Sequence, residues 1–410
     1  MAAKMTSVSF WIILLVVVVS QSSADTRCTS KEMVKINFSK LAVANNDLAF
    51  NLLRKLNTES KNVFFSPFGI SMALGMLLHG SGGDTAEELR NVLGYQKVNL
   101  SDEAVHDTFY CFLTEVFKGS GFSDEYILNY ANAVLLDKNV ELFPEYKNNV
   151  QDSYKALVRK VDFANDSVEI VHEINDWVKE KTNGKIKKFL KELNPSAIMV
   201  LLNTVYFKNI WKVQFNPEFT FSQPFYNHGL KTEKKYVTTM NMIGGFHNAD
   251  FEDFKALELL YKGENISMLI LFPNHCDGLR DLEESLTADK LFLIQYQLRY
   301  SHSFFSLPKF KIRFEKDLSS AIKALGANSI FNASAANFSG MTPSNSVFVD
   351  QVLHKTVMKV NEKGSEAADR SGDRQALPFK MRLDHPFLFA IIQKLSRRDM
   401  VLFLGHVNKL

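Results

Sequence analysis

The sequence predicts an α+β domain in which long buried strands carry the core and amphipathic helices cover it. Three observations predict it. Residues 197–207 form a continuous apolar run with Asn203 in the middle, the pattern of a central strand buried on both faces. Residues 347–360, dense in Val, Phe, Leu and Thr, and residues 387–392 (Phe-Leu-Phe-Ala-Ile-Ile) read as two further core strands. Helical periodicity stands beside them: Leu41, Ala44, Leu48 and Leu52 recur at three- and four-residue steps.

Residues 1–24 combine Lys4, an apolar run over 10–19 and the small residues Ser22-Ser23-Ala24. That pattern reads as a cleaved secretory signal, with the mature chain beginning near Asp25. No Pro/Gly/Ser-rich linker, repeat or low-complexity run divides 25–410, so a single domain is expected. The formal net charge of +3 argues for neither nucleic acid nor an anionic membrane. Cys28, Cys111 and Cys276 are an odd set without CxxC or Cys/His zinc spacing, so neither a disulfide framework nor a metal site is expected. Six Asn-x-Ser sequons, at Asn37, Asn99, Asn165, Asn265, Asn332 and Asn337, suit a secreted glycoprotein.

Along the chain, 33–56 predicts an amphipathic helix and 62–65 a short strand. Ser66 then serves as N-cap and Pro67 as first residue of a helix over 67–79, apolar all round and therefore buried, which Gly80 ends. Thr85-Ala86-Glu87-Glu88 reads as a capping box. A central strand follows at 126–136, a helix at 143–154 and a strand at 156–163. Ile174, Trp177 and Val178, then Lys185, Ile186 and Phe189, give a helix interrupted at Thr182-Asn183-Gly184. Strands are predicted at 235–242, 256–261 and 266–272, and a helix near 289–296. Residues 307–314 alternate as one half-buried strand, and a helix ends at Leu325-Gly326.

Catalytic motifs are not found. Gly80-Ser81-Gly82 lacks the Gly-x-Ser-x-Gly spacing, His172-Glu173 lacks the second histidine of His-Glu-x-x-His, and there is no Walker loop, so an enzyme is not expected. His354, alone in a strand, reads first as a satisfied core residue.

Residues 361–384 have neither helical nor strand periodicity yet join two core strands, and a loop of that length in a compact domain is usually functional. Gly364, Ser365, Ala367 and Ala368 are small enough to enter a sheet as a new strand. The string from His354 to this point, His-Lys-Thr-Val-Met-Lys-Val-Asn-Glu-Lys-Gly-Ser-Glu-Ala-Ala, resembles the hinge of the serpins, the suicide inhibitors of serine and cysteine proteases. His385-Pro386-Phe387-Leu388-Phe389 resembles their segment beyond the loop. Residues 62–89, Phe207-Lys208-Asn209-Ile210-Trp211, Phe331 and Phe338-Ser339-Gly340 match further landmarks, so the resemblance covers about residues 38–407. The general style is similar to secreted arthropod serpins, tick-like ones in particular. Gly69 stands where the family usually carries Ser, Asn209 where it carries Gly, and Lys409 where Pro is frequent.

The resemblance implies a large central mixed sheet, two smaller sheets, surrounding helices and an exposed reactive-centre loop over about 364–384. A protease would cleave that loop, form an acyl-enzyme and be trapped as the loop inserts as a strand; no cofactor is implied. Counting sixteen residues on from Glu362 makes Pro378-Phe379 the nominal scissile bond, with Arg374, Lys380 and Arg382 as alternative specificity residues. The implied hinge is Glu362, Gly364, Ser365, Glu366, Ala367, Ala368 and Asp369. Ser66, Asn203 and His354 would hold the sheet's shutter, with His354 bonded to Asn203. Trp211 and a Lys309–Glu362 ion pair would close its upper edge. Asp369 and Asp373 would face inward in the inserted strand, which makes impaired inhibition the expectation. The alternative is a non-inhibitory member that binds a non-covalent protein partner or is cut as a plain substrate. A secreted monomer is expected. Lys185, Lys187, Lys188 and Lys191, and separately Lys231, Lys234 and Lys235, read by default as solvated charge runs; the resemblance makes weak glycosaminoglycan binding the alternative. The stretch 101–118, where the family's best-known heparin helix falls, carries Asp102, Glu103, Asp107 and Glu115 against Lys118.

Overall fold

The computed structural model describes residues 27–56, 61–117, 127–362 and 379–410. The expected signal, the hinge residues 364–369, Arg374 and Pro378 lie outside the described residues. In chain order the elements are α1 (Lys31–Leu56), β1 (Val63–Phe65), α2 (Pro67–Gly80), α3 (Gly83–Leu93), α4 (Asp102–Cys111), β2 (Ile127–Asp137), α5 (Pro144–Tyr154), β3 (Leu157–Val161), α6 (Ser167–Lys181) and β4 (Met199–Lys208). Next come β5 (Thr220–Tyr226), β6 (Lys234–Asp250), β7 (Phe254–Leu260), β8 (Ile266–Pro273), α7 (Leu279–Ser285), α8 (Ala288–Gln297) and β9 (Arg299–Pro308). The chain closes with β10 (Phe310–Asp317), α9 (Ser319–Leu325), β11 (Gln351–Val360), β12 (Phe379–Arg382), β13 (Phe387–Gln393) and β14 (Met400–Val407).

Among the described residues the strands build two sheets, so the predicted α+β class holds. A five-stranded mixed sheet runs β10-β11-β4-β2-β3, with β11 parallel to β4 and β3 parallel to β2. A nine-stranded sheet runs β1-β14-β13-β8-β7-β6-β9-β12, with β5 added on β6. The 17-residue β6 pairs with β5 at its start, β9 along its middle and β7 at its end, which joins the strands outside the central sheet into one path. Helix α2, apolar on every side, packs against β4 and β2 of one sheet and β14 of the other. Ser66 caps it: its Oγ accepts from the Gly69 N–H at 3.0 Å, and Pro67 opens the first turn. Ile170, Ile174 and Val178 of α6 share a second apolar cluster with Leu135 of β2 and Leu202 of β4.

Several expectations are revised. Helix α3 starts at Gly83, so Thr85 and Glu88 form no capping box. Thr85 Oγ1 instead accepts from the Asn337 N–H at 3.0 Å and Glu88 Oε2 from the Asn328 and Ser329 N–H groups at 2.8 Å, tethering α3 to the loop before β11. Residues 307–314 are not one strand, because the chain changes sheets at Lys309, between β9 and β10. Helix α6 does not resume after its break. Asn183 and Gly184 adopt left-handed φ of 48° and 73°, and the Asn175 side chain then holds the irregular backbone by accepting from Phe189 and Leu190 N–H at 2.6 and 2.8 Å.

The cysteines are also paired against expectation: Cys28 and Cys111 form a disulfide with Cα atoms 5.7 Å apart, and Cys276 is free. An odd count leaves one thiol over but does not prevent a pair, and the segment before α1 lies against the end of α4. Finally, the loop does not extend to Asp384. Phe379–Arg382 is a strand parallel to β9, with Phe379 and Met381 buried.

Candidate functional site

Strands β4 and β11 lie in parallel register from Gln351↔Val200 to Val357↔Tyr206. Beyond that point Met358, Lys359 and Val360 pair only with Ile312, Lys311 and Phe310 of β10. The seam between β4 and β11 is therefore zipped along its lower part and unpaired at the end from which the chain leads into residues 363–378.

A buried chain of hydrogen bonds crosses this seam. The Ser66 N–H donates to His354 Nε2 at 3.1 Å, which leaves the imidazole proton on Nδ1, and Nδ1 donates to Asn203 Oδ1 at 2.6 Å. Asn203 Nδ2 donates to Asn132 Oδ1 on β2, and Ser66 Oγ donates to the Leu402 carbonyl on β14 at 2.7 Å. Ser66, Asn132, Asn203 and His354 are each at most 1% exposed, so any member left without its partner costs about 1–3 kcal/mol. Burial pushes the His354 pKa down to about 3, which keeps the ring neutral and able to accept from Ser66. The bond between His354 and Asn203 follows from register, since the two stand opposite each other on β11 and β4. Asn132 was missed in the sequence; an amide inside an apolar strand, the signal that singled out Asn203, marks it equally well.

At the upper end of the seam, Trp211 follows β4, forms an isolated bridge with Tyr261 and stacks on its ring at 4.4 Å. The Trp211 Nε1–H donates to the Asn361 carbonyl at 2.9 Å. Lys309 Nζ stands 2.8 Å from Glu362 Oε1, and the Glu362 side chain is 16% exposed. Burial is the largest single influence and would raise the Glu362 carboxyl, but the hydrogen bond and charge of the Lys309 ammonium, together with a hydrogen bond from the backbone, outweigh it and hold the pKa below the ordinary value. Asn209 keeps a negative φ, so its departure from glycine carries no backbone strain.

The structure separates the remaining candidates. Phe379 is 4% exposed in β12, so the residue after the nominal scissile bond is held in a strand. Lys380 and Arg382 point outward from the same strand. His385 anchors the following turn, with Nε2 donating to the Pro273 carbonyl at 3.0 Å. Sequons Asn99, Asn165, Asn265, Asn332 and Asn337 are exposed and Asn37 is half-buried on α1; both lysine clusters are exposed.

A family model described as Serpin (serine protease inhibitor) matches residues 43–410. The chain is 37% identical over 382 residues to Iripin-1 of Ixodes ricinus, covering 90% of this chain and 95% of that relative. It is 35% identical over 395 residues to Serpin B3 of Homo sapiens, covering 90% and 99%. Among solved structures, uncleaved ovalbumin matches with a TM-score of 0.81 at 26% identity, covering 90% of this chain and 100% of that one. Human thyroxine-binding globulin matches at 0.80 and 28% identity, covering 91% and 99%.

Proposed function

The chain belongs to the serpin family, and from that premise we propose that it is a secreted, monomeric serpin that serine-type endopeptidases attack within residues 363–378. Cysteine endopeptidases are the second target class that the family resemblance implies. Attack on the loop gives an acyl-enzyme, and the cut strand then inserts between β4 and β11. The seam is the observation that carries this reading. Its pairing stops at Val357, the Lys309–Glu362 and Trp211–Asn361 contacts close its end, and the sequence beyond Glu362 continues through Lys363 into the small residues Gly364 and Ser365.

Insertion is slowed. In an inserted strand Ser365, Ala367, Asp369, Ser371 and Asp373 share one face, and by resemblance that face turns inward. A buried unpaired carboxylate costs several kcal/mol, and each ~1.4 kcal/mol on the barrier slows insertion about tenfold, while hydrolysis of the acyl-enzyme is unaffected. Most encounters therefore end with the protease released and the protein cut. The same two acids favour the second reading, a non-inhibitory serpin that serves as a binding partner. Residues 1–24, the exposed sequons and the Cys28–Cys111 disulfide support secretion, since disulfides persist in oxidising compartments.

The test is limited cleavage by trypsin-, chymotrypsin- and elastase-like enzymes, followed by sequencing of the cut and melting of the product. A cut within 370–378 and a higher melting temperature afterwards support the reading. A sole cut elsewhere, or a product no more stable than the intact protein, overturns it.

A further inference from the structure

A cavity of about 200 Å³ opens where β6 passes from pairing with β9 to pairing with β7, beside the segment that follows β4. Its walls are aromatic: Trp211 and Phe215 of that segment, Phe246 of β6, and Tyr300 and Phe305 of β9. Edge-to-face contacts fix them, with ring centroids 5.4 Å apart for Phe215 and Phe305 and 5.0 Å apart for Phe246 and Phe305. The Tyr300 ring lies across β6 at Gly245, where a Cβ would stand 2.0 Å from the Tyr300 Oη, so only glycine leaves room for the phenol. One carboxylate faces this wall. Glu258 of β7 also lines the cavity, and its side chain is 4% exposed. Its Oε1 accepts from Ser267 Oγ at 2.8 Å and from Lys394 Nζ at 2.7 Å. Its Oε2 has no hydrogen bond among the described residues, since His247 Nδ1 stands 4.0 Å away. A nearly buried carboxylate oxygen with free lone pairs calls for a donor. At the mouth Lys212 and Glu264 pair with each other at 2.8 Å, so neither cancels Glu258, and Lys394 holds only the other oxygen.

We propose that this cavity binds a small primary amine carrying one aromatic ring, with its ammonium on Glu258 Oε2 and its ring against Phe246 and Phe305. An ammonium beside aromatic faces is attracted by their quadrupoles, and Glu258 offsets the loss of its hydration. A volume below the ~300 Å³ at which drug-sized sites begin limits the ligand to about one ring and a short chain. A carboxylate ligand meets Glu258 as a like charge, and a neutral alcohol brings only a weaker donor to Oε2. The site is independent of the proposed function.

The test measures binding of 2-phenylethylamine to the whole mature protein by calorimetry and by the emission of Trp211, which Trp177→Phe leaves as the only tryptophan of residues 25–410. 2-Phenylethanol and 3-phenylpropanoate are the neutral and anionic comparisons. The amine binds saturably and changes Trp211 emission, and both comparisons bind at least about tenfold more weakly, the worth of a hydrogen bond to a charged group. Glu258→Gln, checked by its thermal melt, weakens the amine about tenfold and leaves the alcohol unchanged. Glu264→Gln at the mouth leaves both unchanged. Tyr300→Ala, a change at an exposed side chain, removes part of the wall and weakens amine and alcohol alike, which keeps the site testable should Glu258→Gln not fold. Absence of saturable binding, or an alcohol or acid that binds as tightly as the amine, overturns the site. So does unshifted amine binding in a folded Glu258→Gln or in Tyr300→Ala, an equal loss in Glu264→Gln, or binding without a change in Trp211 emission.

Discussion

Gly69 of α2 and Asn203 of β4 share a space that holds one side chain: a Cβ on Gly69 would stand 2.7 Å from Asn203 Oδ1 and 2.8 Å from its Nδ2. The Asn203 amide cannot swing aside without breaking its bonds to His354 and Asn132. Gly69→Ala therefore loses about 1–3 kcal/mol of stability by overpacking, measured by urea unfolding. Asn203→Ala removes two of the three close contacts, leaving Val205 Cγ2 at 2.8 Å, so the double variant loses less than the sum of the singles; additive losses rule this coupling out.

Acid weakens the fold through the buried histidines. Burial depresses His354 to about 3, and His106, hydrogen-bonded to Tyr154, also to about 3 through burial and then its neighbour His79. Both folded values lie below the ordinary 6.5, so the unfolded chain takes up the protons. The stability they contribute is complete above pH ~6.5 and falls toward pH ~3, with a slope of about 1.4 kcal/mol per pH unit for each. Urea midpoints between pH 7 and 4 should show it, and His354→Gln should flatten the slope. An unchanged slope in that variant means that His354 is not a source of it.

The disulfide joins residues 83 apart in sequence, tying the segment before α1 to the end of α4. Cys28→Ser/Cys111→Ser lowers stability by up to about 4.5 kcal/mol on the chain-entropy account, read as a fall in denaturant midpoint. Under denaturing, non-reducing conditions iodoacetamide labels Cys276 alone; labelling of three thiols rules the pairing out.

The Lys309–Glu362 pair is only partly shielded and is worth under about 1 kcal/mol to global stability. Its position matters more, because it closes the end of the seam where pairing stops. Glu362→Lys sets two like charges there and promotes opening, seen as ladders of polymers on a native gel after mild heating. A variant that stays monomeric as long as the wild type removes the pair from the account.

How much of this was legible in the sequence depended on whether a feature was periodic or positional. Apolar strands such as β4, β11 and β13 and the all-round apolar α2 were read correctly because burial writes itself into side-chain type. The switch of sheets at Lys309 was not, since alternation continues unbroken through it while the backbone changes partner. Thr85 and Glu88 have the capping pattern but bond across space to residues 328–337, a tertiary choice that local spacing does not encode. Asn203 stood out as an amide inside an apolar run and Asn132 carries the same signal, whereas their bonding partners and the space left at Gly69 emerge only from how β11, β2 and α2 pack on β4. The end of the loop at Phe379 was missed because a four-residue strand of alternating burial is too short for periodicity to declare.

Whether Asp369 and Asp373 prevent trapping is decided by a denaturing gel after incubation with proteases that cut within residues 370–378. With Asp369 and Asp373 opposing insertion, the wild type is cleaved completely with little or no covalent complex, and a covalent, SDS-stable complex appears once Asp369→Ala and Asp373→Ala are combined. A covalent complex formed by the wild type at near-equimolar ratio would contradict this.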